Sequence, residues 1–250
     1  MKQNIYDNEQ FFNSYKELRE TDRNYNVLLE QPAMKKLLPD LTNKSVLDLG
    51  CGFGINCMDF VNAGASEVYG VDISKKMLDV AKSTNADNKI TYMNMPLENL
   101  NELETKFDFI YSSLCFHYIK DFNKLISDIS NLVNNGGTIL FSQEHPIVTA
   151  SIGNNLGFLL DRSDVPYAYS FSDYHNESEC RIENWFVDGI IKYHRTFSTI
   201  INTLCDAGFV IQKVVEPIPD DYALDKRQGL RKGFIKPTFL IVKAIKTEDC

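Results

Sequence analysis

The sequence predicts an α/β protein, doubly wound around a mostly parallel sheet, with a helical segment before the sheet and an insertion after its fifth strand. Three observations carry that expectation. From Lys44 onward, short apolar runs alternate with segments of helical period. A glycine-rich turn, DLGCGFG (48–54), stands between the first apolar run and the first helical segment. The alternation lapses over 146–195 and then resumes. Strands separated by helices read as βαβ units, which pair in parallel.

Residues 1–43 are rich in Phe, Tyr and Asn and carry a helical pattern. They precede the sheet and must pack on it from outside. SVLDLG (45–50), EVYGVD (67–72), ITYMN (90–94) and FDFIYSS (107–113) then read as buried strands, and GTILFS (137–142) as a fifth. Between them, one helix runs from near Ile55 to the AGA at 63–65. The next is SKKMLDVAKS (74–83), with Ser74 placed as an N-cap whose hydroxyl can accept an orphan amide. A third, DFNKLISDISNLV (121–133), is closed by NNGG. The insertion holds many aromatic and polar residues and few clean periods. A helix at 197–207 stops at Gly208, and FVIQKVVEPIP (209–219) and TFLIVKAI (238–245) supply two closing strands.

At 250 residues, with 44% hydrophobic and 24% charged residues, the chain can build one large core and reads as neither disordered nor repetitive. Its net charge is -8. An acidic surface repels a phosphate backbone, and no cluster of Lys and Arg interleaved with aromatics stands out, so nucleic acid is not an expected partner. No apolar leader and no stretch of bilayer-spanning length occur, so a soluble cytoplasmic protein without a membrane partner is expected, as a monomer or homodimer. The six cysteines (Cys51, Cys57, Cys115, Cys180, Cys205, Cys250) are scattered without a C-x-x-C pair. Reduced thiols fit that pattern better than disulfides or a metal site.

The glycine loop narrows the ligand. Glycine lets a chain turn tightly and lets a ligand approach its backbone. A phosphate-binding P-loop needs G-K-[ST], which is missing. The dinucleotide fingerprint G-x-G-x-x-G is also missed, because Ile55 stands where its last glycine would fall. Asp48 at the strand end would repel a pyrophosphate but attract an ammonium group. At the end of the next strand, Asp72 in GVDIS can accept both hydroxyls of a ribose. The pair selects a nucleoside ligand with an amino-acid tail and no phosphate, which describes S-adenosyl-L-methionine.

From Lys44 to Lys246 the chain resembles the class I S-adenosylmethionine-dependent methyltransferases. That resemblance implies a Rossmann-like, seven-stranded sheet whose last strand runs antiparallel between its neighbours. It implies that Asp48, Gly50, Cys51, Gly52 and Gly54 surround the methionine part of the cofactor, that Asp72 holds the ribose, and that Ile73 and Met77 flank the adenine. MPLEN (95–99) matches the segment that binds the adenine amine. Pro96 stands where the family usually has Asp, so Leu97 and Glu98 take that contact here. SSLCFHYI (112–119) resembles the loop at the methyl end, with Ser112, Ser113 and His117. Tyr15 and Arg19 match a segment that closes the site, where Arg19 would pair with the cofactor carboxylate. The chain then divides into a helical cap (1–43), a cofactor-binding core (44–145), a substrate lid (146–195) and the closing part of the sheet (196–250).

FFNSYKELRE (11–20), FSQEHP (141–146) and IKYHRTFST (191–199) resemble small bacterial methyltransferases that act on small molecules. A small-molecule methyl acceptor, modified at oxygen or nitrogen, is the partner this implies. No N-P-P-Y segment of the amino-methylating type is present, and SSLC (112–115) stands in its place. Ligands of open α/β sheets bind outside the carboxyl ends of the strands, where His117, Tyr118, Glu144 and His145 leave the fourth and fifth strands. His117, Glu144 and His145 are the candidate proton-transfer residues. Tyr118, His145, His194 and Arg195 are the candidate substrate contacts. Each has a plainer reading: His117 can be a packed core histidine, and His194 and Arg195 can merely cap the helix that follows. The aromatics of the insertion (Tyr167, Tyr169, Phe171, Tyr174, Trp185 and Phe186) serve equally as a lid wall or as a small satellite core. Protein or tRNA methylation, and cofactor binding without catalysis, are the rival functions.

Overall fold

The computed structural model describes residues 3–151, 157–178 and 180–247, so Cys250 and parts of the insertion lie outside the described residues. Ahead of the sheet, α1 (Glu9–Glu20) starts at Asn8, whose side chain accepts the Phe11 amide. One π-helical turn, Asn26–Glu30, runs straight into α2 (Gln31–Lys35). The core then alternates as expected: β1 (Ser45–Leu49), α3 (Ile55–Asn62), β2 (Glu67–Asp72), α4 (Lys75–Thr84) and β3 (Ile90–Asn94). Ser74 caps α4 by accepting the Met77 amide at 3.1 Å. β4 (Phe107–Ser113), α5 (Phe122–Leu132) and β5 (Val133–Glu144) follow. The NNGG expected to close α5 is instead the irregular start of β5, where pairing with β4 shifts register and Gly136 takes a positive φ of 74°.

The insertion is more regular than its sequence suggests. It holds α6 (Pro146–Thr149) and two antiparallel hairpins, β6 (Gly157–Leu160) with β7 (Pro166–Ser170), and β8 (Cys180–Trp185) with β9 (Val187–Tyr193). Both are short ribbons outside the main sheet, so neither shows the sustained alternation of a half-buried strand. α7 (Phe197–Asp206), β10 (Phe209–Val215), α8 (Asp221–Lys226) and β11 (Phe239–Lys246) complete the chain.

The seven main strands lie in the order β10–β11–β5–β4–β1–β2–β3. β11 runs antiparallel to both neighbours, and β1 to β5 pair in parallel. Successive strand residues face opposite sides, and the core divides accordingly. Leu47, Leu49, Ile110, Ile139 and Phe141 pack with α5 and α7, while Val46, Val68, Phe109, Tyr111 and Leu140 pack with Phe60, Leu78 and Met34. Each such fully buried side chain contributes about 1.5–3 kcal/mol of transfer free energy. After β1 the chain builds outward through β2 and β3, then returns to place β4 on the other side of β1. That reversal opens a crevice at the carboxyl ends of β1 and β4. No helix among the described residues is long and apolar enough to cross a membrane.

Candidate active site

A cavity of about 470 Å³ occupies that crevice. Its floor is the turn after β1. Gly50 and Gly52 take positive φ values of 75° and 54°, which glycine adopts without steric cost. A Cβ on Gly50 would stand 2.6 Å from the Cys115 Sγ, whereas one on Gly52 would meet nothing within 4 Å. Gly50 is thus needed for close packing of the β1 and β4 loops, and Gly52 leaves its backbone open to the cavity. The Gly50 and Cys51 amides donate to the Val71 carbonyl, tying the turn to β2.

Asp72 ends β2 in the cavity wall. Its Oδ2 accepts the Gly52 amide at 2.9 Å and its Oδ1 accepts the Ser74 amide at 2.8 Å. Burial pushes its carboxyl up to about 6, and the two amides oppose that shift only in part. A carboxylate held this way gains from further donors, such as a ribose diol. Tyr15, Arg19, Gly50, Cys51, Gly52, Ile73, Met77, Leu97, Glu98, Ser113 and His117 line the same cavity, as the sequence reading proposes.

Three expected cofactor residues do not line it. Asp48 lies beneath the turn, 1% exposed, with the Cys57 thiol donating to its Oδ2 at 3.4 Å. Its Oδ1 has no hydrogen-bond partner, and burial raises its carboxyl to about 7. Gly54 caps α3 with its back against the Tyr92 ring. Ser112 spends its hydroxyl on the Leu49 carbonyl at 2.8 Å, stapling β4 to β1. All three support the floor rather than face the ligand.

Beyond the glycine turn the cavity continues over the ends of β4 and β5. Lys192, on β9, has a side chain only 6% exposed and donates to Glu144 at 2.5 Å and also to Glu183 of β8. These contacts, joined by Trp185, bring the second hairpin over the sheet edge as a wall. His117 and Tyr118 rise from the β4 loop beside it. The Glu144 amide donates to His117 Nδ1 at 3.4 Å, which leaves the proton of a neutral ring on Nε2. Burial, with Lys192 and Arg195 nearby, holds His117 far below the usual histidine range, so it stays neutral. In that tautomer Nε2 carries the proton and is a donor.

The structure corrects three substrate-side expectations. His145 does not reach the cavity. Its Nδ1 accepts the Ile147 amide and its Nε2 pairs with Glu216 at 2.8 Å, in a separate shallow hollow walled by Phe171, Tyr174 and Phe197. His194 is buried between the Thr149 hydroxyl and the Tyr174 carbonyl, each at 2.8 Å. Arg195 grips the carbonyls of Phe116, Ile119 and Lys120 and lies 4.8 Å over the Phe122 ring. Its task is to brace the turn that carries His117 and Tyr118. Of the insertion aromatics named above, Trp185 alone lines the large cavity among the described residues.

Sequence reasoning missed Lys192 and Glu183 as wall residues, and Tyr6, Asn26 and Arg227 at the cap side. It also missed Glu30, 0% exposed behind the wall, whose Oε1 accepts the hydroxyls of Ser142 and Ser113 at 2.5 and 2.9 Å. The one available signal for Glu30 was a lone acid inside the apolar run VLLEQPAM (27–34). The hairpin residues had none, because their proximity to Glu144 exists only after the insertion folds back.

A glycine floor open to a ligand at Gly52, a buried carboxylate at a strand end and an orphaned acid oxygen at Asp48 below fit S-adenosylmethionine. The amino group of the cofactor would find a negative field there and its ribose a buried acceptor. Fold and site together define a Rossmann-like methyltransferase. The comparisons with known proteins agree. Residues 47–141 match the family model described as a methyltransferase domain. An uncharacterized protein of Haemophilus influenzae is 37% identical over 255 residues, covering 99% of this chain and 98% of that protein. The crystal structure of an S-adenosylmethionine-dependent methyltransferase from Mesorhizobium loti superposes with a TM-score of 0.78 at 33% identity, covering 92% of this chain and all of that one. The chain belongs to the S-adenosylmethionine-dependent methyltransferases, and S-adenosylmethionine is its cofactor.

Proposed function

We propose that the enzyme transfers a methyl group to an oxygen or nitrogen of a small-molecule acceptor. The observation that carries this reading is the roof over the acceptor end. The N-terminal cap supplies Tyr6 and the β8–β9 hairpin supplies Trp185 and Lys192, so the space beside His117 and Glu144 is walled on several sides. A cavity of this size and enclosure suits a compact molecule better than a folded protein or RNA.

When bound, S-adenosylmethionine supplies an electrophilic methyl group on a sulfonium sulfur. The residues of this chain do the rest. Asp72 accepts the ribose hydroxyls, Arg19 pairs with the carboxylate of the amino-acid tail, and Ile73, Met77 and Leu97 enclose the adenine, with Glu98 at its amine. At the acceptor end, Glu144 takes the proton of the attacking hydroxyl or amine, and Lys192 fixes the orientation of that carboxylate. His117 donates from Nε2, and Tyr118 and Trp185 shape the space. Most of the acceleration comes from alignment of the two reactants with water excluded.

The test is release of S-adenosylhomocysteine from purified enzyme given S-adenosylmethionine and one of three acceptor pools: a small-molecule extract, total tRNA or total protein. The small-molecule pool should drive turnover. Turnover with tRNA or protein alone would replace this reading by the macromolecular one.

A further inference from the structure

Glu30 is a fully buried acid that contacts no cavity and takes no part in the chemistry above. It sits on the π-helical turn, which places Asn26 and Glu30 one above the other. Asn26 Nδ2 donates to Glu30 Oε2 at 2.7 Å, and Arg19 Nη1 donates to Asn26 Oδ1. The direction of this relay is fixed by chemistry. A guanidinium only donates, so Asn26 must turn its oxygen to Arg19 and its amide nitrogen to Glu30.

The other carboxylate oxygen is equally constrained. Ser142 Oγ already accepts the Leu114 amide at 3.0 Å, and Ser113 Oγ accepts from Gln31 at 3.2 Å. Both hydroxyl protons are therefore free to point at Glu30, and both oxygens lie within hydrogen-bond distance of it. Every neighbour presents a donor. An ionised carboxylate accepts at both oxygens and satisfies all of these donors at once, and the serine bonds with Arg19 nearby oppose the upward push that burial gives its carboxyl. A glutamine, nearly identical in shape, carries no charge and one acceptor oxygen in place of two, so it cannot accept from Asn26 and from both serines together.

Both arms end in the lining of the cavity. One arm ends on Arg19 of the cap. The other ends on Ser113 and Leu114 of the β4 loop, where Leu114 holds a positive φ of 54° that a non-glycine residue adopts only under constraint. We propose that Glu30 is a positioning residue of the cofactor site: its carboxylate aims Arg19 and pins the Ser113–Leu114 turn, so the wall around the amino-acid tail is set before the cofactor arrives. The inference rests on the reading that Arg19 holds that tail.

Calorimetry with two probes tests it. S-adenosylhomocysteine carries the amino-acid tail, and 5′-methylthioadenosine is the same nucleoside without it. Glu30→Gln should weaken S-adenosylhomocysteine about tenfold and leave methylthioadenosine within roughly twofold, the loss of one charge-assisted contact. Asn26→Leu cuts the relay at a less buried position and should give the same split if Glu30→Gln fails to fold. Unchanged binding of S-adenosylhomocysteine, or equal weakening of both probes, overturns the proposal, the latter by showing a merely structural role. Arg19→Met separates the two readings. If it leaves S-adenosylhomocysteine binding intact, the assignment of Arg19 to the tail fails. If it weakens that binding while Glu30→Gln and Asn26→Leu do not, the assignment stands and the role of Glu30 falls.

Discussion

At one end of the cavity the floor is backbone; at the other the walls are charged side chains borrowed from distant parts of the chain. The cofactor end consists of the Gly50–Gly52 turn and Asp72, held together by amide hydrogen bonds across two adjacent strands. Its geometry follows from the sheet itself. The proposed acceptor end depends on Glu144, Glu183 and Lys192, which meet only when the second hairpin docks over the carboxyl end of β5. A site made of backbone is fixed by the fold. A site made of docked side chains can change its acceptor by changing an insertion, without disturbing the floor.

That division predicts separable kinetic effects. Glu144→Gln should lower kcat by about 100-fold or more, the usual worth of a positioned proton acceptor, with cofactor affinity within roughly twofold of wild type. Asp72→Ala should do the reverse. Loss of a buried acceptor for a ribose diol, with loosening of the Gly52 amide it holds, should weaken cofactor binding about 30- to 100-fold by calorimetry. If Glu144→Gln cost cofactor affinity as heavily as Asp72→Ala, the two ends would be one coupled unit and the comparison would break.

The same division explains what the sequence disclosed. Asp48, the glycines and Asp72 fall within 25 residues (48–72), at the ends of consecutive strands, so local spacing alone puts them together. The sheet was legible for the same reason, since its strands are buried runs with clear breaks. Of the residues expected at the proposed acceptor end, Glu144, His117 and Tyr118 line the cavity, because they leave their strands at its carboxyl edge. His145 follows Glu144 directly yet turns away, because the backbone at that point enters α6 and successive side chains diverge. Lys192 and Glu183 belong to a ribbon outside the main sheet, and no periodicity relates them to residue 144. Arg195 was noticed for its charge, but its role as a brace for carbonyl groups depends on a contact with the 116–120 turn that no sequence pattern encodes.

Acidity should act on the cofactor end through Asp72. Burial pushes the Asp72 carboxyl up to about 6, and in the proposed binding mode a ribose diol donates to its ionised form. Cofactor affinity should level off above about pH 8, once Asp48 is ionised as well, and fall as pH drops through 6, by up to about tenfold per unit below it, with proton release on binding near pH 6. Titrations in buffers of different ionisation enthalpy read that proton directly. Constant affinity from pH 5 to 8 would show that the diol does not depend on this carboxylate.

Arg195→Lys probes the acceptor end at one remove. A lysine keeps the charge but cannot reach three carbonyls from one planar fork. The turn bearing His117 and Tyr118 should loosen, with turnover reduced about tenfold and cofactor affinity nearly unchanged. A parallel loss of cofactor binding would place that turn in the cofactor wall instead.

The smallest expected effect falls on Asp48, where stability and function oppose each other. Its carboxyl is raised by burial to about 7, well above its unfolded value, and its Oδ1 has no partner. For an acid shifted upward, the favourable contribution is present below about pH 4 and is lost as pH rises through 7. At pH 8 the folded protein therefore carries a buried charge met by one thiol, and Asp48→Asn removes it. The variant should melt higher than wild type at pH 8, by roughly 2–4 °C for each kcal/mol gained, and by much less at pH 5, where Asp48 is already neutral. It should also bind the cofactor a few-fold more weakly, because a carboxylate under the turn attracts the amino group above it. A variant that melts lower than wild type at pH 8 would mean that the charge is compensated in the cofactor-free protein. One that gains stability with no loss of affinity would mean that the cofactor end relies on its glycine backbone and Asp72 alone.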